Sequence, residues 1–282
     1  MLEMELNKFY VDDIIKRAIC EDINYLDLAT DLLTDENSVT SAQFVSKADG
    51  VLCGIDVCLR VFELLDGNIT AKKLMKDGDK VKKGDVIAEI SGKTSVILKG
   101  ERTSLNLLQH MSGIATMTAE YAKQCEGTSA SVAETRKTLP GLRALEKYSV
   151  MIGGGRNHRF NLSDAAMIKD NHVDACGGIT AAVTKLRMKM GHMNKIEVEV
   201  RDRNEFLEAV ESGADVVMLD NMTPAEMSEC VKLGGGRVLL EASGNVTLEN
   251  IREIALTGVN IISVGALTHS VKAFDISLKI KK

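Results

Sequence analysis

From Ser129 onward, short apolar runs alternate with amphipathic stretches of helical period. The candidate strands are Ala130–Ala133, Ala165–Ile168, Ile196–Val200, Val216–Leu219, Val238–Leu240 and Ile261–Val264, with 3.6-residue patterns between them. Helix starts are well marked. Thr223 is an N-cap candidate, Pro224 takes the first helical position and Glu226 the third, and Thr247 opens Leu248–Ile251 in a similar way. Gly213, Gly234 and Gly258 mark helix ends. Alternation of this kind builds a parallel sheet with right-handed crossovers. A closed eight-unit barrel usually takes about 250 residues. Only about six units follow Ser129, so the expectation is an incomplete barrel or an open sheet.

The first hundred residues are patterned differently. A helix is predicted over Val11–Ile19, strands over Gln43–Val45 and Ser95–Leu98, and a helix over Asp56–Leu65 between them. That mixture predicts a separate α+β domain. A long helical pattern runs from Glu101 to Cys125, with a break or bend expected at Ser112-Gly113. At the other terminus Phe274, Ile276, Leu278 and Ile280 alternate with Asp275, Ser277, Lys279 and Lys281, which predicts a half-buried strand returning to the N-terminal sheet. The expected division is residues 1–112 with 270–282 as one domain and 113–269 as the other. The turn Asp77–Ile87 resembles the hammerhead of biotinyl and lipoyl carrier modules, but no lysine sits where a carrier would be modified, so it reads as a structural turn.

Composition narrows the functional classes. A chain of 282 residues with 45% hydrophobic content and two prolines is fully globular. A net charge of −5 argues against a nucleic-acid surface, which carries a basic excess. Six cysteines with no C-x-x-C pair point to reduced thiols and a cytoplasmic protein. No run approaches the ~18 apolar residues of a membrane span, and acidic residues at positions 3, 5, 12 and 13 exclude a signal peptide.

The strand ends carry the chemistry. They read Glu134-Thr135-Arg136-Lys137-Thr138, Ile168-Lys169-Asp170-Asn171-His172, Glu197-Val198-Glu199, Leu219-Asp220-Asn221 and Glu241-Ala242-Ser243-Gly244-Asn245. In a parallel barrel the ligand sits at the carboxyl ends of the strands, so these residues would converge on a pocket for a polyanion and a metal. Arg136, Lys137, Lys169 and the Gly153–Arg159 stretch supply cations for carboxylates or phosphates. Each alone is as readily a solvated surface charge; together they are a site. Glu199 and Asp220 suit magnesium, and Glu197, sharing parity with Glu199, could line the same pocket. Ser243-Gly244 and Gly265 follow the last two strands, where barrels bind phosphate through backbone N–H groups, although a tight turn would explain them equally well. His110 and His192 look structural, whereas His158, His172 and His269 gain interest from their neighbours.

Taken in order, these motifs together with Glu101-Arg102-Thr103, His110-Met111-Ser112-Gly113 and His158-Arg159 resemble the quinolinate phosphoribosyltransferase family over nearly the whole chain. The resemblance implies an N-terminal open-faced α/β sandwich joined to an incomplete α/β barrel. It also implies conversion of quinolinate and phosphoribosyl pyrophosphate to nicotinate mononucleotide, pyrophosphate and carbon dioxide, with magnesium and no organic cofactor. It further implies a homodimer with shared active sites, or a hexamer, in which Arg102 serves the neighbouring subunit. By the same resemblance Arg136, His158, Arg159 and Lys169 bind quinolinate, Lys137 lies at the quinolinate and pyrophosphate side, and Thr135 is a further substrate-binding residue. Glu199 and Asp220 hold magnesium and ribose hydroxyls, and Ser243, Gly244, Gly265 and His269 cradle the 5-phosphate. Lys137, Glu199 and Asp220 are the implied catalytic residues. Asn245 departs from the Ser-Gly-Gly usual in the family; asparagine tolerates left-handed backbone, so the turn is expected to survive. Competing readings are a nicotinate-specific or molybdenum-associated relative of the same fold, a Schiff-base aldolase at Lys169, and a non-catalytic binding protein.

Overall fold

The structure is a computed structural model and describes residues 5–281. The first elements are α1 (Lys8–Asp22), α2 (Leu28–Leu33), β1 (Val39–Ser46), β2 (Gly50–Val51), α3 (Ile55–Leu65), β3 (Thr70–Lys73), β4 (Lys80–Val81), β5 (Val86–Lys93) and the long α4 (Thr94–Gln124). Then come β6 (Ser131–Ala133), α5 (Arg143–Ile152), β7 (Ala166–Ile168), α6 (Asp170–Cys176), α7 (Ile179–Arg187), β8 (Ile196–Val200), α8 (Arg203–Glu211) and β9 (Val216–Asp220). The chain ends with α9 (Pro224–Gly234), β10 (Leu239–Ser243), α10 (Ile251–Leu256), β11 (Ile261–Ser263), α11 (Ala266–His269) and β12 (Ile276–Ile280). Two compact units result. The first holds the described residues up to Ala119, Thr138–Gly153 and those from Ser270 on, and the second holds Glu120–Lys137 and Gly154–His269.

In the first unit an antiparallel sheet runs in the order β12-β1-β5-β3. The period-2 alternation at the C-terminus becomes β12, with Leu278 opposite Phe44 and Ile276 opposite Ser46. Phe44 packs edge-to-face on Phe62 of α3, with centroids 6.1 Å apart. Ile15, Ile87, Ile90, Leu108 and Met111 complete a core that Leu145 of α5 also enters. Burying each such side chain contributes about 1.5–3 kcal/mol. The segment Ser95–Leu98, expected as a strand, is the first turn of α4. The three-residue apolar run Val96–Leu98 cannot distinguish the two periods, and tertiary packing of Val96 and Ile97 decides it.

α4 also runs unbroken through Ser112-Gly113, where a break or bend was expected. Ser112 accepts a hydrogen bond from the Cys53 amide and donates one to its carbonyl, each 3.0 Å. A Cβ on Gly113 would meet the Lys272 carbonyl oxygen, so this pair marks close packing and not a break. The Asp77–Ile87 turn is structural, as its composition suggests. Asp77 accepts from the Ile55 amide at 3.0 Å, capping α3, whose own N-cap Gly54 offers no side chain, and from the Tyr148 hydroxyl at 2.9 Å.

The second unit is built on a six-stranded parallel sheet in the order β6-β11-β10-β9-β8-β7. From β7 to β11 neighbours in space are neighbours in sequence, and β6 joins β11. A ring of strands is thus left open at one seam between β6 and β7, the incomplete barrel. Thr223 and Glu226 form the expected reciprocal capping box and Asp202 caps α8, whereas the helix expected to open at Thr247 begins only at Ile251, with Asn250 at the N-cap and no side-chain cap bond. Against β6, the Arg156 amide donates to the Val132 carbonyl at 2.7 Å, and Arg156 forms a parallel bridge with Ala133.

Gly113→Ala separates intrinsic propensity from packing. In a helix interior alanine is favoured over glycine by about 1 kcal/mol, whereas a Cβ forced on main chain costs about 1–3 kcal/mol. The expected outcome in a urea titration is net destabilisation; a stabilised variant would show that the Lys272 segment gives way.

Candidate active site

Registers across the parallel sheet put one set of side chains on one face. Met167 pairs with Glu197, Glu199 and Glu241 with Met218, and Ser243 with Asp220. Lys169 continues the row of Met167, and Ser263 continues that of Glu241. The alternate residues Val198, Val200, Val217, Leu219, Ala242 and Ile262 are apolar and fully buried on the opposite face. A parallel strand is usually apolar on both faces. Here one face carries carboxylates, a lysine and serines, so its polar content has no packing rationale.

At the strand ends Lys169 donates to Glu199 Oε2 in a close ion pair, and Asn221 donates to Asp220 Oδ2 at 2.9 Å. Thr135 accepts from the Lys137 amide at 3.1 Å. Lys137, Gly265 and His269 lie together: a Cβ on Gly265 would come within 3.1 Å of both side chains, and Thr268 donates to the Lys137 carbonyl at 2.8 Å. Arg136, Arg159, Leu162, Met167, Lys169 and His172 line a cavity of about 610 Å³. Arg159 is steered into it by donation from Nη1 to the Ala165 carbonyl at 2.8 Å. Burial, and then the charge of Arg136, hold the Arg159 guanidinium below its usual range. Arg136 Nε is buried without a hydrogen-bond partner among the described residues. Two guanidinium groups lining one cavity make a fork that suits a carboxylate or phosphate. Of the residues singled out in the sequence, Arg102 is not gathered here; it is exposed on α4 in the first unit.

Three features escaped sequence reasoning in whole or in part. Asn221 and Asn245 both adopt left-handed backbone, at φ 54° and 49°. Asn245 donates to Asn221 Oδ1 at 3.0 Å, so the turn survives the loss of the usual glycine and ties the ends of β9 and β10 together. The third is a buried cluster. His158 Nε2 lies 3.2 Å from Glu197 Oε2 and 3.5 Å from Glu241 Oε1. His158 Nδ1 accepts from the Arg159 amide at 2.8 Å, and the His158 amide donates to Glu134 at 3.1 Å. Strand parity, applied to Glu241 as it was to Glu197, would have found this cluster. Burial, and then the neighbouring Glu197, push the Glu241 carboxyl up to about 7.

Two sets could hold a cation. His158, Glu197 and Glu241 present ligand atoms within 4.8 Å of one another. Because Nδ1 accepts an amide proton, however, the ring proton resides on Nε2 and leaves no lone pair there for a metal. Glu199 and Asp220 are the better set: hard oxygen donors on adjacent strands and one face, as magnesium prefers.

An anion-seeking incomplete barrel of this kind defines a class, and sequence comparison identifies it. Residues 27–112 and 114–279 match the N-terminal and C-terminal domains of quinolinate phosphoribosyl transferase. The chain belongs to that family. It is 44% identical over 275 residues to a probable nicotinate-nucleotide pyrophosphorylase [carboxylating] of Bacillus subtilis, covering 98% of this chain and 95% of that protein. The chloroplastic nicotinate-nucleotide pyrophosphorylase [carboxylating] of Arabidopsis thaliana is 43% identical, with 95% and 82% covered. The crystal structure of NadC from Streptococcus pyogenes superposes with a TM-score of 0.96 at 40% identity, covering 99% of each chain.

Glu241 also predicts a pH signature. Its folded-state value lies above the ordinary 4.5, so between about pH 4.5 and 7 the folded chain holds a proton that the unfolded chain has released, and stability falls as pH rises through that window. In Glu241→Gln the melting temperature relative to the parent is expected to rise by several degrees from the lower to the upper limit. A constant offset in differential scanning calorimetry would refute the assignment.

Proposed function

We propose that the chain catalyses phosphoribosyl transfer from phosphoribosyl pyrophosphate to quinolinate with decarboxylation. The products are nicotinate mononucleotide, pyrophosphate and carbon dioxide, as a step of NAD biosynthesis. The names of its relatives support this reading, and one observation carries it: Arg136, Arg159 and Lys169 line a single cavity, with Arg136 Nε buried and without a hydrogen-bond partner among the described residues. Quinolinate is a dianion and its co-substrate a polyanion, so these cations must offset their repulsion before the ring nitrogen reaches the ribose carbon. Arg136, Arg159 and Lys169 bind the two carboxylates, whereas His158, expected from the sequence to join them, has both ring nitrogens turned to protein groups. Ser243, Gly244, Gly265 and His269 receive the 5-phosphate, and Thr135 borders the pocket through its contact with Lys137.

As pyrophosphate departs, positive charge grows on the ribose, and the Glu199 and Asp220 carboxylates stabilise it while Lys137 meets the leaving group. Magnesium bound with phosphoribosyl pyrophosphate would neutralise pyrophosphate charge, and Glu199 and Asp220 are the residues that would hold it. The positive charge of the quaternised ring nitrogen then stabilises the carbanion left on the neighbouring ring carbon when carbon dioxide departs, and that carbon takes up a proton, so no organic cofactor is required. Nicotinate, with a single carboxylate, leaves part of the cationic wall unused. A Schiff base at Lys169 is disfavoured by its ion pair with Glu199.

We infer a homodimer, in which Arg102 of each subunit reaches its neighbour's pocket. Exposed apolar side chains at Phe9, Tyr25, Leu28, Leu32 and Leu33 support such an interface. Six free thiols fit a reducing compartment, the cytoplasm. Among the described residues no helix is long and apolar enough to cross a membrane.

With magnesium and phosphoribosyl pyrophosphate, quinolinate is expected to give nicotinate mononucleotide and carbon dioxide, and nicotinate to give nothing; product from nicotinate alone would transfer the assignment to a relative of different specificity. Lys137→Ala and Asp220→Ala are each expected to lower kcat about a hundredfold or more with native-like melting; normal turnover would remove their roles. Mixing inactive Arg102→Ala and inactive Asp220→Ala subunits is expected to restore activity through hybrid dimers. No recovery after demonstrated subunit exchange would exclude the shared site.

A further inference from the structure

The buried cluster beneath the cationic wall has no part in the chemistry described so far, yet it is costly to keep. Glu197 and Glu241 are only 5% and 4% exposed, and Glu197 Oε1 is buried without a hydrogen-bond partner among the described residues. Leaving such oxygens unsatisfied is destabilising, and glutamine or an apolar side chain would fill the same space at lower cost. Two carboxyl groups retained at that expense next to the residue that precedes Arg159 point to a role in function.

We propose that Glu197 and Glu241 are positioning residues for quinolinate binding: they fix the His158 ring and, through its other nitrogen, the main chain at Arg159. The inference rests on the reading of the cavity as the quinolinate site and deepens it. Three contacts define the device. Nε2 carries the ring proton and turns it toward the two carboxylates, at 3.2 and 3.5 Å. Nδ1 takes the Arg159 amide proton at 2.8 Å, which sets where the Arg159 side chain starts. Glu134 takes the His158 amide proton at 3.1 Å, so the residue is held by both backbone and ring. From that anchored start, Arg159 reaches the Ala165 carbonyl at 2.8 Å and faces the cavity beside Arg136. The Glu197 charge also favours the charged state of Arg159, against burial and Arg136. The two glutamates come from β8 and β10, with β9 between them, so three strands of the sheet hold one ring in register.

The test is steady-state kinetics of the full-length enzyme with Glu241→Ala, Glu241→Gln and Glu197→Gln, varying quinolinate and phosphoribosyl pyrophosphate separately. In Glu241→Ala the KM for quinolinate is expected to rise about tenfold or more while that for phosphoribosyl pyrophosphate stays within about twofold, since a small misplacement of a binding group is expensive. Both glutamine variants keep a carbonyl oxygen for the Nε2 proton and are expected to recover most of the loss. An unchanged quinolinate KM in a natively melting Glu241→Ala overturns the proposal, as does an equal rise in both constants. Should Glu241→Ala not fold, ring ¹⁵N spectra of the unaltered enzyme, with His158 assigned by comparison with His158→Gln, must show the Nε2–H tautomer; the Nδ1–H tautomer overturns it. Failure of the unaltered enzyme to convert quinolinate would instead strike the functional reading, while the tautomer measurement still judges the geometry.

Discussion

Everything in the second unit depends on the pairing register of its parallel strands. Side chains alternate across a sheet, so a one-residue slip would exchange its faces. With Glu199 and Glu241 opposite Met218, and Ser243 opposite Asp220, the polar residues fall on one side and Val198, Val217, Leu219 and Ala242 on the other. The buried apolar side enforces the pairing, since shifting it would bring carboxylates against the helices. The exactness of the polar face is therefore inherited from hydrophobic packing that touches no ligand.

Charge balance follows from that arrangement. Lys169 is compensated by Glu199 and the neutral His158 ring is held by Glu197 and Glu241, whereas Arg136 and Arg159 line a cavity. The site keeps its binding cations free by pairing their neighbours. Native proteins commonly sacrifice stability at such places, where groups are arranged for a partner that the folded chain alone does not supply.

Much of this was legible in the chain. The period of the apolar runs located all six strands of the second unit to within a few residues, because each is flanked by a strong cap or a glycine stop. Strand ends named most of the residues that gather at the cavity, since carboxyl ends of parallel strands converge by geometry. The misreading of Ser95–Leu98 has a physical cause: an isolated apolar run of three carries no period. The expected break at Ser112-Gly113 failed for another, because the small residues there answer to the Cys53 backbone and the Lys272 carbonyl, both distant in sequence. The glutamate cluster needed registers across three strands, which one sequence suggests only through parity.

The open seam of the strand ring has a consequence for solubility. A sheet that stops short of closure exposes a rim of unpaired backbone groups, and such a rim is a template on which another chain can add a strand. On the β6 side that rim is occupied by Arg156, whose amide bonds to Val132 just before the chain reaches His158 and Arg159. The stretch that carries the recognition residues is therefore also a guard rail. A lesion that loosened it would lose more than substrate; it would uncover an adhesive edge.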